Sequence, residues 1–448
     1  MEFLKKHSKA VTFLVLLFLF WGQYLIFGIV RSVDTISFEL FSPLVYPLYS
    51  VTLWFFRTLF GEELGYFLLG LFQNLLLVIS LVAFNDYIKK AFKLDPFTHC
   101  LLLMISAAIF FAQKFLTRSG LISTNTLISE ALTIPFYLFF FRYILQTVLE
   151  KNKKAFLFTC LFAAGIILCR AQLYWLLIVV FWVRLYISDG KYKQALLPAV
   201  LVCAIIAGAI QGTRIIQNLS VDDDQSKVPS NLYLLTTAVY CSTPEDAALF
   251  PEDTPERKLY DLTRDWMDNP ERLAAFSYET GSFTDRHLKF EAYYDQVKGI
   301  LGYYYSEMVD QGLVADMSKM FTALVKANTG DYLTHCVQNG ITGLIRTVAI
   351  LRPGINVLAC LFYAYLIGCL LIFRKNKNLV KERQLACLGL LCALMNALVM
   401  APGVFALSRY VFYNMLVLYA AAILFLRALI LEWIRIRQGT EEKSCLRK

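Results

Sequence analysis

Long runs of apolar residues recur along the whole chain and limit what it can fold into. The 448-residue sequence is 58% hydrophobic and 17% charged, where an ordinary soluble domain has about 25% charged residues. A water-soluble protein of this size has no core large enough to hide that much hydrocarbon. The sequence therefore predicts an all-α polytopic membrane protein, and it excludes disordered, collagen-like, coiled-coil and small disulfide-rich classes.

About ten of these runs have the composition of transmembrane helices, which need about 20 mostly apolar residues. We divide the run 155–187 at Arg170, because a charge is less costly at the end of a span than at its centre. The first run follows Lys5 and Lys6 but has no small-residue cleavage site after it, which predicts an uncleaved first span. The predicted spans are 11–30, 65–84, 99–116, 126–148, 155–169, 172–187, 196–212, 355–373, 385–402 and 410–430.

Basic residues give the expected orientation, because they concentrate on the cytoplasmic side of membrane proteins. With a cytoplasmic N-terminus, ten spans place the basic clusters at 5–9, 89–93, 151–154, 184–193, 374–383 and 435–448 inside. We therefore expect a multi-pass protein of the cell membrane with both termini in the cytoplasm. This asymmetry explains the net charge of +9 without a nucleic-acid partner. The short outer connections hold Arg31, Arg57, Lys114, Arg118, Arg170 and Arg409.

Two outer segments are too long to be simple turns. Residues 31–64 are rich in aromatic side chains, with Pro43 and Pro47 as breakers, which predicts juxtamembrane helices lying in the interface. Residues 213–353 hold more than half of the acidic residues and predict a large, mostly helical extracytoplasmic domain. The predicted organisation is 1–212 with seven spans, 213–353 outside, and 354–448 with three spans.

Cysteine and histidine spacing indicates no metal site. The chain has no CxxC pair and no HExxH motif, so we predict no cofactor, while a bound divalent cation stays open. Cys241 and Cys336 lie in the predicted outer domain, where a disulfide is permitted. Two unpaired thiols are an equal alternative, because sequence does not give their separation.

Basic residues at the predicted outer ends of the spans are candidates for a functional site. Lys114 and Arg118 follow the third span, Arg170 separates the fifth from the sixth, and Arg409 precedes the last. Ionisable groups at membrane level are costly and mark function by default. Arg presents a planar fork that binds phosphate with two hydrogen bonds, so these residues suit an anionic lipid headgroup. Snorkelling anchors are the structural alternative.

Acidic residues also occur at the predicted outer ends of the spans. Asp34 and Glu39 follow the first span, and Glu130 opens the fourth. A carboxylate beside a bound phosphate can serve as a general base for a reacting hydroxyl. The structural alternatives are an N-cap for Asp34, a surface role for Glu39, and a simple ion pair for Glu130.

Four local features recur in a defined order along 1–187 and 385–430. An acid follows the first span at 31–34; a segment rich in Pro and Tyr follows at 42–49; Ser129-Glu130 precedes a basic turn and the stretch 165–172; and Ser408-Arg409-Tyr410 opens the last span. This order resembles the GT-C superfamily of membrane glycosyltransferases, which includes protein mannosyltransferases and the aminoarabinose transferase of lipid A. The chain departs from that pattern in having Thr35 after Asp34, where many relatives have a second acid, and Ala171 after Arg170, where many have Pro. The segment 213–353 matches nothing in the family pattern.

The resemblance implies a glycosyltransferase that moves a sugar from a polyprenyl-phosphate donor to a hydroxyl of an extracytoplasmic glycan, lipid or protein acceptor, with inversion. It implies that Asp34, with Glu39 as a second acid, is catalytic. Donor phosphate would be bound by Arg170, Arg409, Lys114 and Arg118, and the supporting residues would be Glu130, Gln172 and Tyr410.

A flippase or transporter of lipid-linked saccharides, a polymerase of such saccharides and a non-catalytic scaffold are the alternatives. A transporter predicts charges at the middle of several spans and an inverted repeat. Arg142 is the clearest charge in the middle of a span, and the sequence contains no internal repeat. The polymerase differs little from a transferase at the level of sequence, and neither the sugar, the acceptor nor the oligomeric state can be named.

Overall fold

A computed structural model describes residues 8–32, 34–42, 45–116, 122–188, 191–219, 231–269 and 283–445. Within these residues the protein is almost entirely helical, and the one β contact is an isolated parallel bridge between Val30 and Thr126. The predicted all-α class is confirmed.

Among the described residues, the first half of the chain forms nine helices with two short 3-10 turns, Ser123–Asn125 and Ala171–Trp175, between them. The helices are α1 Ser8–Phe27, α2 Thr35–Glu39, α3 Pro47–Phe60, α4 Glu62–Ala91, α5 Pro96–Leu116, α6 Glu130–Glu150, α7 Lys153–Cys169, α8 Leu176–Tyr186 and α9 Tyr192–Leu219.

The second half forms nine more, of which the first five contain the most polar part of the chain. They are α10 Leu232–Tyr240, α11 Pro255–Met267, α12 Phe283–Asp310, α13 Met317–Ala327, α14 Thr329–Val348, α15 Pro353–Ile372, α16 Val380–Met400, α17 Ser408–Val411 and α18 Met415–Cys445.

In the described part of the chain, eight helices are long and apolar enough to cross a membrane. They are α1, α4, α5, α6, α9, α15, α16 and α18. Their outer surfaces expose large apolar side chains, such as Phe18 at 78% and Ile372 at 71%. Exposing such surfaces to water costs free energy, whereas contact with lipid does not. The protein is therefore a multi-pass membrane protein.

The two remaining predicted spans are shorter helices divided at Arg170, where the sequence led us to expect a break. Helix α7 has 17 residues and ends at Cys169, and α8 has 11 residues. Arg170 takes an extended conformation with φ −150° and ψ 117°, which ends α7. The count of ten spans stays a prediction, because these two helices are shorter than the eight.

The first long connection contains α2 and α3, in the segment predicted to hold juxtamembrane helices. Helix α3 begins at Pro47 and buries Tyr49 and Leu53, while Trp54 and Phe55 stay half exposed. An apolar face on both sides suits a helix that lies between the protein and the bilayer interface.

Helices α3 and α4 form a tight hairpin around Gly61, whose φ is +78°. A Cβ atom at Gly65 would lie 2.6 Å from the backbone oxygen of Phe56, and backbone cannot move aside as a side chain can. We expect Gly65→Ala to lower the free energy of unfolding by about 1–3 kcal/mol, as overpacking does. Thermal unfolding in detergent measures this. Gly208→Ala is the control, because nothing lies within 4 Å of that position; an equal loss in both variants would contradict the hairpin explanation.

Helices α10 to α13 share an apolar core separate from that of the spanning helices. Its fully buried members include Leu235, Leu259, Val297, Leu301, Met320 and Leu324. This cluster lies within the predicted domain 213–353. The expected boundary at 212–213 falls inside α9, which continues to Leu219, whereas the boundary at 353–354 coincides with the start of α15. Cys241 and Cys336 are both free, half-buried thiols.

His335 of α14 packs against this cluster, with its ring 4.2 Å from that of Phe290 and 5.5 Å from that of Tyr240. Burial lowers the pKa of His335 to about 4, so the ring is neutral at pH 7. An unfolded His titrates near 6.5, so its contribution to stability is complete above that pH and is lost as the pH falls from 6.5 to 4.

We expect acidification across that window to lower the free energy of unfolding by at most about 3 kcal/mol through this group. Melting temperatures between pH 7 and pH 4 measure it, with His335→Phe as the comparison. The variant should lose less stability on acidification than the wild type, and parallel pH profiles would contradict this assignment.

Candidate active site

The segment carrying Asp34 is tied directly to the segment that leads into Glu130. The Val30 amide donates to the Asn125 carbonyl at 2.9 Å, and the Leu127 amide donates to the Val30 carbonyl at 3.0 Å. These two bonds satisfy backbone groups that the ends of α1 and the 122–129 loop would otherwise leave unpaired. They place the acid after the first span beside the start of α6.

A buried amide network holds this junction. The Gln23 side-chain amide donates to Asn125 Oδ1 at 2.8 Å, and the Asn125 amide returns a bond of the same length to Gln23 Oε1. Asn74 of α4 donates to Asn125 Oδ1 at 3.1 Å and accepts from the Thr124 hydroxyl at 2.9 Å. Buried polar groups that satisfy one another fix a unique arrangement. Sequence analysis did not single out these residues, although amides inside apolar runs were a usable signal.

Glu130 lies at the centre of the candidate site. It occupies the first turn of α6, where the helix dipole favours a carboxylate, and its side chain is 2% exposed. Its Oε1 atom lies 2.5 Å from Arg170 Nη1 and 3.7 Å from Arg409 Nε. One buried carboxylate thus lies between two guanidinium groups that are 239 positions apart in the sequence.

Asp34 is the fourth charged residue of the cluster and the most exposed of the four. Its Oδ2 atom accepts a hydrogen bond of 2.8 Å from Arg409 Nη1. Asp34 stands at the N-cap position of α2, yet its side chain makes no capping hydrogen bond, so the capping alternative does not hold. Side-chain exposure is 43% for Asp34, 27% for Arg409, 13% for Arg170 and 2% for Glu130. The carboxylate that an outside molecule reaches most easily is therefore that of Asp34.

Tyr410 lies between the two arginines and orders them. The Arg170 and Arg409 guanidinium carbons lie 4.7 and 4.9 Å from its ring centroid, and Arg409 Nη2 donates to its hydroxyl at 2.9 Å. Gln172 and Asn396 each donate to the Tyr410 carbonyl at 2.8 Å. These contacts hold Arg409 in the short helix α17, which precedes the last long helix.

The other predicted site residues are placed elsewhere. Glu39 pairs with Arg31 and accepts a hydrogen bond of 2.5 Å from the Tyr66 hydroxyl. Burial acts to raise the pKa of Glu39, but these two hydrogen bonds lower it overall, so Glu39 stays ionised in its own ion pair. The side chain of Lys114 and the whole of Arg118 lie outside the described residues.

Two tyrosines that the sequence did not indicate interact with the site, and a lysine lies near one of them. The buried Tyr413 hydroxyl interacts electrostatically with Glu130 and both arginines, and it has no hydrogen-bond partner among the described residues. Tyr233 of α10 interacts with Asp34, and burial raises the pKa of its hydroxyl. Lys298 of α12 lies 5.3 Å from the Tyr233 ring centroid. Helix α10 therefore borders the cluster and packs against α12, which no local motif could indicate.

The charges of the cluster cancel, since Arg170 and Arg409 face Glu130 and Asp34. An anion can bind to the arginines with a net gain only if a carboxylate moves away, and the half-exposed Asp34 is the one free to move. Within the described ranges, no group of three His, Cys, Asp or Glu side chains is arranged to hold a metal ion. The arrangement can therefore exchange one carboxylate for one external anion.

Comparisons with protein-family models, with curated proteins and with solved structures gave no match to this chain.

Proposed function

We propose that the protein is a membrane glycosyltransferase that moves a sugar from a polyprenyl-phosphate donor to an extracytoplasmic hydroxyl acceptor. The observation that carries the proposal is the Asp34–Arg409–Glu130–Arg170 cluster, in which a reachable carboxylate lies beside two guanidinium groups. The motif resemblance to the GT-C superfamily supports the same conclusion, because three of its four features supply these side chains.

In the proposed reaction, Asp34 accepts the proton of the acceptor hydroxyl, and the oxygen attacks the anomeric carbon. A new carbon–oxygen bond forms on one face of the sugar while the bond to the phosphate oxygen breaks on the other, which inverts the anomeric centre. The electron pair leaves on the lipid phosphate, where Arg409 and Arg170 stabilise the developing charge. Glu130 does not touch substrate; it holds both guanidinium groups in place.

Because the charges of the cluster cancel before donor binds, the steps of the reaction follow in a fixed order. Donor phosphate competes with Asp34 for Arg409, so donor binding releases the carboxylate and makes it available as a base. Asp34 is thus freed only when a sugar donor is bound, which limits its reaction with other hydroxyl compounds.

A flippase would need charges lining a path through the middle of the spans. The charged residues Glu130, Arg170 and Arg409 lie instead at helix ends: the start of α6, the end of α7 and the start of α17. This placement favours a site at one membrane face, as a transferase requires, over a path across the bilayer.

Incubation of membranes containing the protein with radiolabelled polyprenyl-phosphate sugars tests the proposal. We expect one labelled sugar to move to an acceptor and polyprenyl phosphate to accumulate in equal amount. Membranes with Arg409→Gln protein are the control, since they keep the lipids but lack the central phosphate ligand. Movement of intact labelled lipid between leaflets without release of polyprenyl phosphate would contradict a transferase and favour a flippase.

A further inference from the structure

The loop 401–407 connects α16 to α17 and leads directly into Arg409. Side chains from α12 and α14 bind its backbone along most of its length. Asn339 donates to the carbonyls of Ala401 and Val404 at 3.0 and 2.8 Å and accepts from the Ala406 amide at 3.0 Å. Tyr294 donates to the Gly403 carbonyl at 2.7 Å, and Tyr332 donates to the Pro402 carbonyl at 2.9 Å.

A buried ion pair completes these contacts. Arg346 of α14 and Glu291 of α12 form a two-pronged pair, with Nη2 donating to Oε2 at 3.0 Å, and their side chains are 7% and 2% exposed. Arg346 Nη1 also donates to the Ala406 carbonyl at 2.9 Å, three residues before Arg409. The pair therefore joins α12 and α14 to the loop that leads into Arg409.

Stability alone is a weak explanation for a pair of this kind. Removing two charges from water costs several kcal/mol per ion, and well-packed apolar residues often replace a buried pair without loss of stability. What an apolar pair cannot supply is the donor to the Ala406 carbonyl. The bond to the loop is thus the feature that requires Arg346, and the two hydrogen bonds from Glu291 fix the orientation of its guanidinium group.

We propose that Glu291 and Arg346 are positioning residues that hold the 401–407 loop and thereby set the place of Arg409 for a donor phosphate. This inference rests on the proposed function for its ligand. Neither residue contacts the proposed substrate site directly, because both act through the loop on Arg409.

The test compares the double variant Glu291→Leu/Arg346→Met with wild type in the full-length protein. Hydrogen exchange of 401–410 reports on the loop without reference to activity, and titration with a short-chain polyprenyl monophosphate in detergent reports on Arg409. We expect faster exchange in the loop and about tenfold weaker phosphate binding. The same double change made in an Arg409→Lys background should weaken binding much less, because the arginine fork it positions is already gone.

The matched control is Asp268→Leu/Arg264→Met, at the C-terminal end of α11. That pair also joins an arginine to a carboxylate, at 2.7 Å, with the arginine bound to a backbone carbonyl, but the carbonyl is that of Ser242, outside the loop. We expect unchanged exchange in 401–410 and unchanged phosphate affinity. If the Glu291→Leu/Arg346→Met protein does not fold, Glu291→Asp replaces it in the comparison with wild type, because aspartate keeps the charge but has a shorter side chain.

Three outcomes distinguish the positioning role of Glu291 and Arg346 from the proposed function itself. Weaker binding in the wild-type background but not in Arg409→Lys supports the positioning role. Unchanged affinity in a folded variant, with wild type binding normally, overturns the positioning role and leaves the proposed function intact. Failure of wild type itself to bind polyprenyl monophosphate removes the proposed function, and the positioning role is lost with it.

Discussion

Asp34→Asn protein is expected to lose transfer activity by about 10²–10⁴-fold, the usual effect of removing a general base. The same variant is expected to bind polyprenyl monophosphate more tightly than wild type. The reason is the 2.8 Å contact between Asp34 and Arg409, since the asparagine amide no longer competes as a charge for the guanidinium group. A half-exposed pair of this kind is worth about 1 kcal/mol, which corresponds to about fivefold in affinity.

Single-turnover transfer and equilibrium titration with the lipid phosphate measure the two effects separately. Glu39→Gln is the matched control, because Glu39 is an acid of the same segment that pairs with Arg31 and Tyr66 instead of Arg409. It should retain both transfer and wild-type affinity. Weaker lipid-phosphate binding by Asp34→Asn would show that the carboxylate does not compete with donor, and full activity would remove Asp34 from catalysis.

Glu130→Gln is expected to lower the free energy of unfolding by about 3–5 kcal/mol, because breaking a buried pair leaves its partner charge uncompensated. Glu130 is 2% exposed and faces both Arg170 and Arg409, so no water replaces the lost carboxylate. Thermal unfolding in detergent measures the loss. The exposed Glu63 in the first turn of α4 provides the control, and Glu63→Gln should unfold like wild type.

Pairing the change with Arg170→Gln separates charge from packing. The double variant removes one positive and one negative group together, so it should recover part of the stability lost in Glu130→Gln. A double variant that is less stable than Glu130→Gln alone would mean that Arg170 contributes through packing on Tyr410 more than through its charge.

The sequence predicted the helical class well, because helical class depends on local composition. Run length and hydropathy locate apolar helices, and the position of Arg170 between two runs predicted the break observed there. The extension of α4 through Lys89 and Lys90 to Ala91 was missed, since a helix can continue past the apolar run that hydropathy detects. Helix α9 likewise continues past the predicted boundary at 212–213, to Leu219.

The sequence was less informative about which side chains meet. Counting spans places Asp34 and Arg409 at one membrane face, but only lateral packing brings them to 2.8 Å. Glu130 was predicted as a supporting residue, whereas it is the shared partner of both arginines. Amides inside apolar runs mark Asn125 and Asn396 as candidates, but the sequence does not name their partners, which are Val30 and Tyr410.

Asp34 and Arg409 are separated by 375 positions, and this distance has a consequence for synthesis. While the ribosome is still making the second half, Glu130 and Arg170 can already meet in the emerging protein, but Asp34 has no guanidinium partner. The complete constellation forms only when α17 arrives and docks against helices inserted long before. A prematurely terminated product can therefore embed in the bilayer and still lack a working centre.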